Sequence, residues 1–364
     1  MNVEILLFGY LIVCMAMICF NIACIFLFKH NDKLLEKRSE VYVDIIRREA
    51  SKGRVSDEHK SFLLKSLVRV TGLMAFERSL DILQRENSIS LEKYLGQLVP
   101  VFSQLTLKYS QKNELQAAYF PYLISKYHLL NGQDNRKVNH ALFELLKSPG
   151  IYSRENALSA FYSMGSSEHV ADALRIIDRS EYYHHKKLIT DGLMTFQGDS
   201  AELNEILWAR MGDYSVDMQT AILDYIRFSS GDYCEEMLSL LYEDCDRELK
   251  YCAIRYFGKY RFDPAYECII KYVEQERESR WEYAAIACLA LSNYPCERTV
   301  TVLKSKLNSR NWYVRYNASQ TLENLGLEYV DMVDVIESSD RYAGEMMRYR
   351  FDHKRIKDTE AAKV

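Results

Sequence analysis

The side chains that chemistry would recruit are few in this chain and poorly spaced for it. His184 and His185 are adjacent in EYYHHKKL. On a helix, neighbouring side chains diverge by about 100°, so the pair cannot easily hold one metal from a single face, and a solvated or partly packed pair is expected. Nine cysteines are present, with Cys14, Cys19 and Cys24 in an apolar stretch and the other six between 234 and 296. No two form a CxxC, and the scatter matches neither a zinc site nor a disulfide framework, so reduced and mostly buried thiols are expected. HExxH, GxSxG, GxGxxG and the GxxxxGK[ST] phosphate loop are all absent, and the carboxylates are dispersed as they are on helix surfaces. These observations predict a protein that is not an enzyme and that carries no metal and no cofactor.

Aromatic residues offer a different chemistry, that of contact. The chain has 27 Tyr and 3 Trp, and an amphipathic ring can pack at one end while offering a hydrogen bond at the other. Clusters occur at Tyr182 and Tyr183, at Trp281 and Tyr283, and at Trp312, Tyr313 and Tyr316. These seven are the candidate partner-binding residues. The same rings could instead fill gaps between helices, and on sequence alone that packing reading is the favoured one.

The elements that must position them are helical. A chain of 364 residues with 14 Gly and 5 Pro lacks the turn residues of a many-stranded sandwich or barrel. Its apolar share of 48% and charged share of 27% are those of a folded protein. A formal charge of -4 gives no global attraction to nucleic acid, and no nucleic-acid partner is expected.

Residues 5–28, ILLFGYLIVCMAMICFNIACIFLF, hold no charged side chain over 24 positions. As a helix this run would cover about 36 Å, enough to cross a hydrocarbon layer about 30 Å thick. Glu4 stands where a signal peptide would carry Lys or Arg, and bulky residues close the run, so a membrane span that is not cleaved is expected. Lys29, Lys33, Lys37 and Arg38 follow the span and no cation precedes it. The positive-inside rule then places the N-terminus outside and the body in the cytoplasm. The cations of 29–48 alternate with Asp32, Glu36, Glu40 and Asp44, and are read as a topology signal on a solvated helix rather than a lipid-binding patch.

Beyond residue 150 the sequence repeats itself. Ala157, Leu188, Ala221, Ala253, Ala285 and Ala318 recur every 31 to 33 residues. Four positions further on stand Phe161, Tyr225, Phe257, Leu289 and Leu322, with Gly192 as the exception. A second apolar cluster follows each anchor, after pieces such as GSSE, GDS and SSGD that stop one helix and cap the next. Each unit is therefore expected to hold two helices, and a pair this small cannot bury its own apolar stripe, so neighbours must stack.

Within NWYVRYNASQTLENLG, the residues Asn311, Val314, Arg315, Ala318, Leu322, Leu325 and Gly326 resemble the HEAT repeat, in the short bacterial form known from phycobilisome-lyase proteins. Asp246, Leu249, Lys250, Ala253 and Phe257 give a second match, and Arg154, Ala157, Phe161 and Gly165 a third, whereas His185, Met218 and Glu282 stand at the Arg position elsewhere. The resemblance implies an all-α fold, a right-handed alpha-alpha superhelix or HEAT-like solenoid, here preceded by a single transmembrane helix. The expected order is an anchor at 1–28, a juxtamembrane helix and linker at 29–57, divergent helical repeats at 58–150, HEAT-like repeats at 151–340, and a capping helix with a basic tail at 341–364. The function expected is that of a membrane-tethered scaffold or adaptor binding a partner protein, a membrane or envelope-synthesis enzyme or a soluble regulator. A lyase-like or other cofactor-handling enzyme is the alternative that the resemblance implies.

Overall fold

The computed structural model describes residues 3–86, 90–338 and 340–361. The described residues form twenty α-helices and short 3-10 turns, with no strand. They divide into two compact units, 1–182 and 183–364. That boundary falls inside the segment that the repeats group as 151–340.

The first unit holds nine helices. α1 is Val3–Ser51, α2 Asp57–Ser66, α3 Val70–Glu86, α4 Leu91–Gly96 and α5 Val99–Tyr109; α6 is Glu114–Tyr127, α7 Arg136–Leu146, α8 Ile151–Met164 and α9 Ser167–Asp178. Pro100 lies in the first turn of α5, where its missing N–H costs nothing, while Pro121 is carried inside α6. The second unit contains α10 Lys186–Leu193, α11 Ser200–Ala209, α12 Val216–Ser229, α13 Cys234–Tyr242, α14 Arg247–Phe257 and α15 Tyr266–Glu274. It continues with α16 Trp281–Ala290, α17 Glu297–Lys306, α18 Trp312–Asn324, α19 Val333–Ile336 and α20 Arg341–Ala361.

α1 is long and apolar enough to cross a membrane, and its apolar part lies outside the protein core. Over 49 residues it runs for about 74 Å without a break. The anchor and the juxtamembrane helix are thus one element, with no joint between residues 28 and 29. Its far end is core: Ser39, Tyr42, Val43 and Ile46 form a buried stripe at helical spacing, facing α3, where the Tyr42 ring meets Phe76 edge-on at 5.9 Å. Ion pairs flank this seam, Arg78 to Asp32 at 2.7 Å and Arg47 to Glu86. Leu34 and Val41, apolar positions of the same helix, stay exposed.

The turn after α1 is clasped by Glu49. Its carboxylate accepts from the Ser56 N–H at 3.1 Å, from the Ser56 hydroxyl at 3.0 Å and from Lys52. The Ser56 oxygen in turn accepts from the His59 N–H and caps α2. The Gln97 amide oxygen accepts from the Val55 N–H at 2.8 Å, and His59 pairs with the Tyr94 hydroxyl at 2.8 Å. Deeper in the unit, Lys126 of α6 bridges Glu77 at 2.8 Å and Asp81 at 3.0 Å on α3.

In the second unit alternate helices pack in succession: α10 on α12, α12 on α14, α14 on α16, α16 on α18, and α18 on α20. Side chains cross these seams to backbone oxygens at the repeat distance. The Thr190 hydroxyl donates to Ala221 at 3.0 Å, Asn317 to Ala285 at 2.8 Å, and Thr321 to Cys288 at 2.8 Å. Ala157, Ala221, Ala253, Ala285 and Ala318 are all buried. At the remaining anchor Leu188 is half-buried, and it is Ile189 that reaches the core, 32 residues from both Ala157 and Ala221. The large residue a turn later is then Leu193, which is buried, in place of the exceptional Gly192. Leu289 also departs from the pattern: it is 39% exposed, because the inward face of α16 runs through Ala284, Ala287 and Cys288.

The helix starts are set by short polar side chains. Asn113, Asn135, Ser166, Asp199, Ser215, Asp246 and Asn311 each accept a hydrogen bond from a first-turn N–H. His185 does the same for α10 from the turn before the helix, where its Nδ1 accepts from the Lys187 N–H at 3.1 Å. The two adjacent histidines therefore precede the helix instead of riding on it.

Two outcomes follow from this packing. The Lys52 ammonium and the two Ser56 donors hold the Glu49 carboxyl down at about 2, so its contribution is complete above the ordinary carboxylate range and is lost as pH falls toward 2. Glu49→Gln is expected to lower the melting temperature at pH 7, with the gap to wild type closing between about pH 5 and pH 2. Phe257, fully buried and stacked on Phe262, should cost about 3–5 kcal/mol when cut to alanine, read as a fall in the denaturant midpoint.

Candidate functional site

The structure gathers four of the seven candidate aromatics into one surface patch in the second unit. Trp281 at the start of α16 stacks on Tyr313 at the start of α18, with centroids 5.3 Å apart and planes 14° from parallel. Trp312 stands edge-on to Tyr313 at 5.2 Å and stacks on Tyr316 one turn later at 4.9 Å. Trp312 and Tyr313 remain 57% and 55% exposed, so the rings rest on one another with a wide face in water. Arg350 of α20 closes the far end, with its guanidinium 4.6 Å from the Tyr316 centroid. It is held there by Glu323 at 3.0 Å and by the Ser319 hydroxyl at 2.6 Å.

Rings fixed by their own stacking lose little freedom when something settles on them. The Asn311 cap supports them from below, because its side chain accepts from the N–H groups of Tyr313 and Val314 and so fixes the first turn of α18.

The other three candidates lie elsewhere. Tyr182 closes the first unit, with the Arg154 guanidinium 5.5 Å from its ring. Tyr183 opens the second and meets the His185 ring edge-on at 6.2 Å. Tyr283 turns inward, stacks on Tyr272 at 4.8 Å, and takes the Tyr251 ring edge-on at 4.8 Å.

That inward turn builds a second feature, a cavity of about 370 Å³ between α14, α15 and α16, with Tyr272 and Tyr283 in its wall. Lys250, Lys271, Arg277 and Arg280 line it, against a single carboxylate, Glu267, which is committed to Arg298 at 2.7 Å. Burial holds the Tyr272, Tyr283 and Cys268 groups above their ordinary titration range, so all three are protonated at neutral pH. The lining thus offers positive charge, neutral hydroxyls and ring faces, and its volume lies within the range of small-molecule sites. Sequence reasoning missed this set because the four cations come from three separate elements. Only Lys250 stood at a repeated motif position.

The arginines at that motif position behave alike where they are present. Arg154 donates to the backbone oxygen of Ser148 at 2.8 Å, six residues upstream, and Arg315 donates to Ser309, also six residues upstream. Arg154 lies over Tyr182 and Arg315 lies over Tyr342 at 5.7 Å. Lys250 makes no such reach and faces the cavity instead. Compared with known proteins, the chain matches no protein-family model and no curated protein.

Proposed function

We propose that the chain is a non-enzymatic, membrane-tethered scaffold whose helical body belongs to the HEAT-like solenoid type and binds a partner protein. The tether is α1, with the N-terminus outside and the body in the cytoplasm, as the cations Lys29, Lys33, Lys37 and Arg38 favour. Supporting the solenoid reading are the succession of alternate helices from α10 to α20 and the two arginines that make the same backward reach. The observation that carries the binding reading is the mutually stacked group Trp281, Trp312, Tyr313 and Tyr316, in which Trp281 is half-buried and the other three are exposed. Tethering would confine the partner, a membrane or envelope-synthesis enzyme or a soluble regulator, to the membrane surface and raise its encounter rate without further contacts.

The cavity in the second unit favours a second reading, in which the body handles a small anionic ligand in the manner of a lyase-like or other cofactor-handling protein. Its charge balance and ring faces fit a phosphate- or carboxylate-bearing molecule with a flat portion.

Crosslinking in membranes tests the first reading. The wild-type chain should capture a specific neighbour, and Trp312→Ala with Tyr313→Ala should lose it while melting as wild type does; a wild-type body with no specific neighbour would sink the scaffold. Native mass spectrometry of the purified full chain tests the second. A bound small molecule that Lys271→Glu with Arg280→Glu expels supports the cavity, and a mass equal to that of the bare chain under all purification conditions removes it.

A further inference from the structure

A basic cleft opens beside α1 shortly after the apolar segment ends. Lys37 and Arg38 line it from α1, Lys65 from the end of α2 and Arg69 from the turn before α3, around a volume of about 560 Å³. No carboxylate lines it. On α1, Glu36 and Glu40 are the acids nearest Lys37 and Arg38 in sequence, but neither lines the cleft, while Asp32 is taken by Arg78 at 2.7 Å and Asp44 pairs with Arg47 at 3.8 Å. The four cations make no ion pair among the described residues. Clustering uncompensated charge in this way raises its electrostatic cost, and an anion would relieve it.

The cleft is also apolar where a purely ionic site would have no need of it. Leu34, Val41 and Phe62 line it, and they are 43%, 58% and 42% exposed. These exposed positions explain why two apolar residues of α1 do not join the seam to α3. A site pairing four cations with three bare apolar groups fits a ligand that has a phosphate at one end and hydrocarbon at the other.

Its position favours the same class. Because α1 is unbroken, Leu34 lies about 9 Å and Arg38 about 15 Å along the helix from Phe28, the end of the apolar run. The headgroup zone adds about 5–8 Å to each side of the hydrocarbon. The cleft therefore begins at its rim, where the potential of anionic lipids still reaches. Helix tilt would bring it closer.

We propose that this cleft binds an anionic membrane phospholipid drawn outward from the leaflet, with the headgroup phosphate on Lys37, Arg38, Lys65 and Arg69 and the glycerol and first acyl carbons against Leu34, the α1 lining residue nearest the apolar run. The assignment rests on the membrane-anchor reading of α1. It deepens that reading: α1 sets the depth, and the lipid would fix the rotation of the body about it.

The test uses the full chain in neutral detergent, titrated with short-chain phosphatidylglycerol, short-chain phosphatidylcholine or inorganic phosphate. Hydrogen exchange over residues 62–72 is the readout. Phosphatidylglycerol should protect this segment at about tenfold lower concentration than phosphatidylcholine, and Lys37→Gln with Lys65→Gln and Arg69→Gln should erase that preference. Equal protection by the two lipids, or an unchanged variant, overturns the proposal. Protection by inorganic phosphate at the same concentration also overturns it, and marks a site for a soluble anion. Alkaline extraction of membranes keeps the two claims apart: wild type and variant should both stay in the pellet. Release of both would undo the anchor reading, while the titration still decides the cleft.

Discussion

The structure depends first on one uninterrupted helix that is bare of protein contact toward one end and part of a core toward the other. For most of its first half α1 exposes apolar side chains with no protein partner, and in its second half the same rod contributes Tyr42, Val43 and Ile46 to a core. A helix cannot bend sharply without a proline, a glycine pair or an inserted group, and residues 10–51 contain neither Gly nor Pro. Whatever holds the apolar half therefore also fixes the direction from which the body is approached. The ion pairs at Asp32 and Arg47 stand beside the seam, exposed and individually weak. The buried stripe packs the helix on α3, and the Glu49 clasp holds the turn that follows it.

A second constraint organises the rest. Helices of 8 to 14 residues are marginal alone, and in the second unit each is stabilised by the next. Thr190, Asn317 and Thr321 add the specificity that burial lacks. Each side chain finds an acceptor at one register only, so the polar crossings keep neighbouring helices from sliding.

Most of this architecture was legible in the sequence because it is periodic. The alanine anchors, the capping asparagines, aspartates and serines, and the turn glycines Gly165 and Gly326 all carry their mechanism locally, the glycines by adopting φ of +77° and +81°. Legibility failed where one residue could be traded for its neighbour. Leu188 and Ile189 are both aliphatic, and only packing shows that Ile189 faces inward. Leu289 fails for the opposite reason, since an alanine-rich helix such as α16 has several faces small enough to bury. Among the aromatics, adjacency in sequence separated no ring that packs from one that does not. Trp281 and Tyr283 are two positions apart, and on a helix that is enough to send one to the surface stack and the other into a cavity wall. The basic lining of that cavity, assembled from three elements, left no local signature.

The repeated arginine has a further consequence. Arg154 and Arg315 each tie a helix start to the chain just before it, and each also reaches forward, Arg154 to the Tyr182 ring and Arg315 to the Tyr342 ring. At the equivalent place Lys250 has been excused from that duty, and its ammonium is spare. Redundancy in a row of like modules thus supplies raw material: a fastener dropped in one module becomes a free charge at the mouth of a hollow, and the architecture can acquire chemistry without adding a residue.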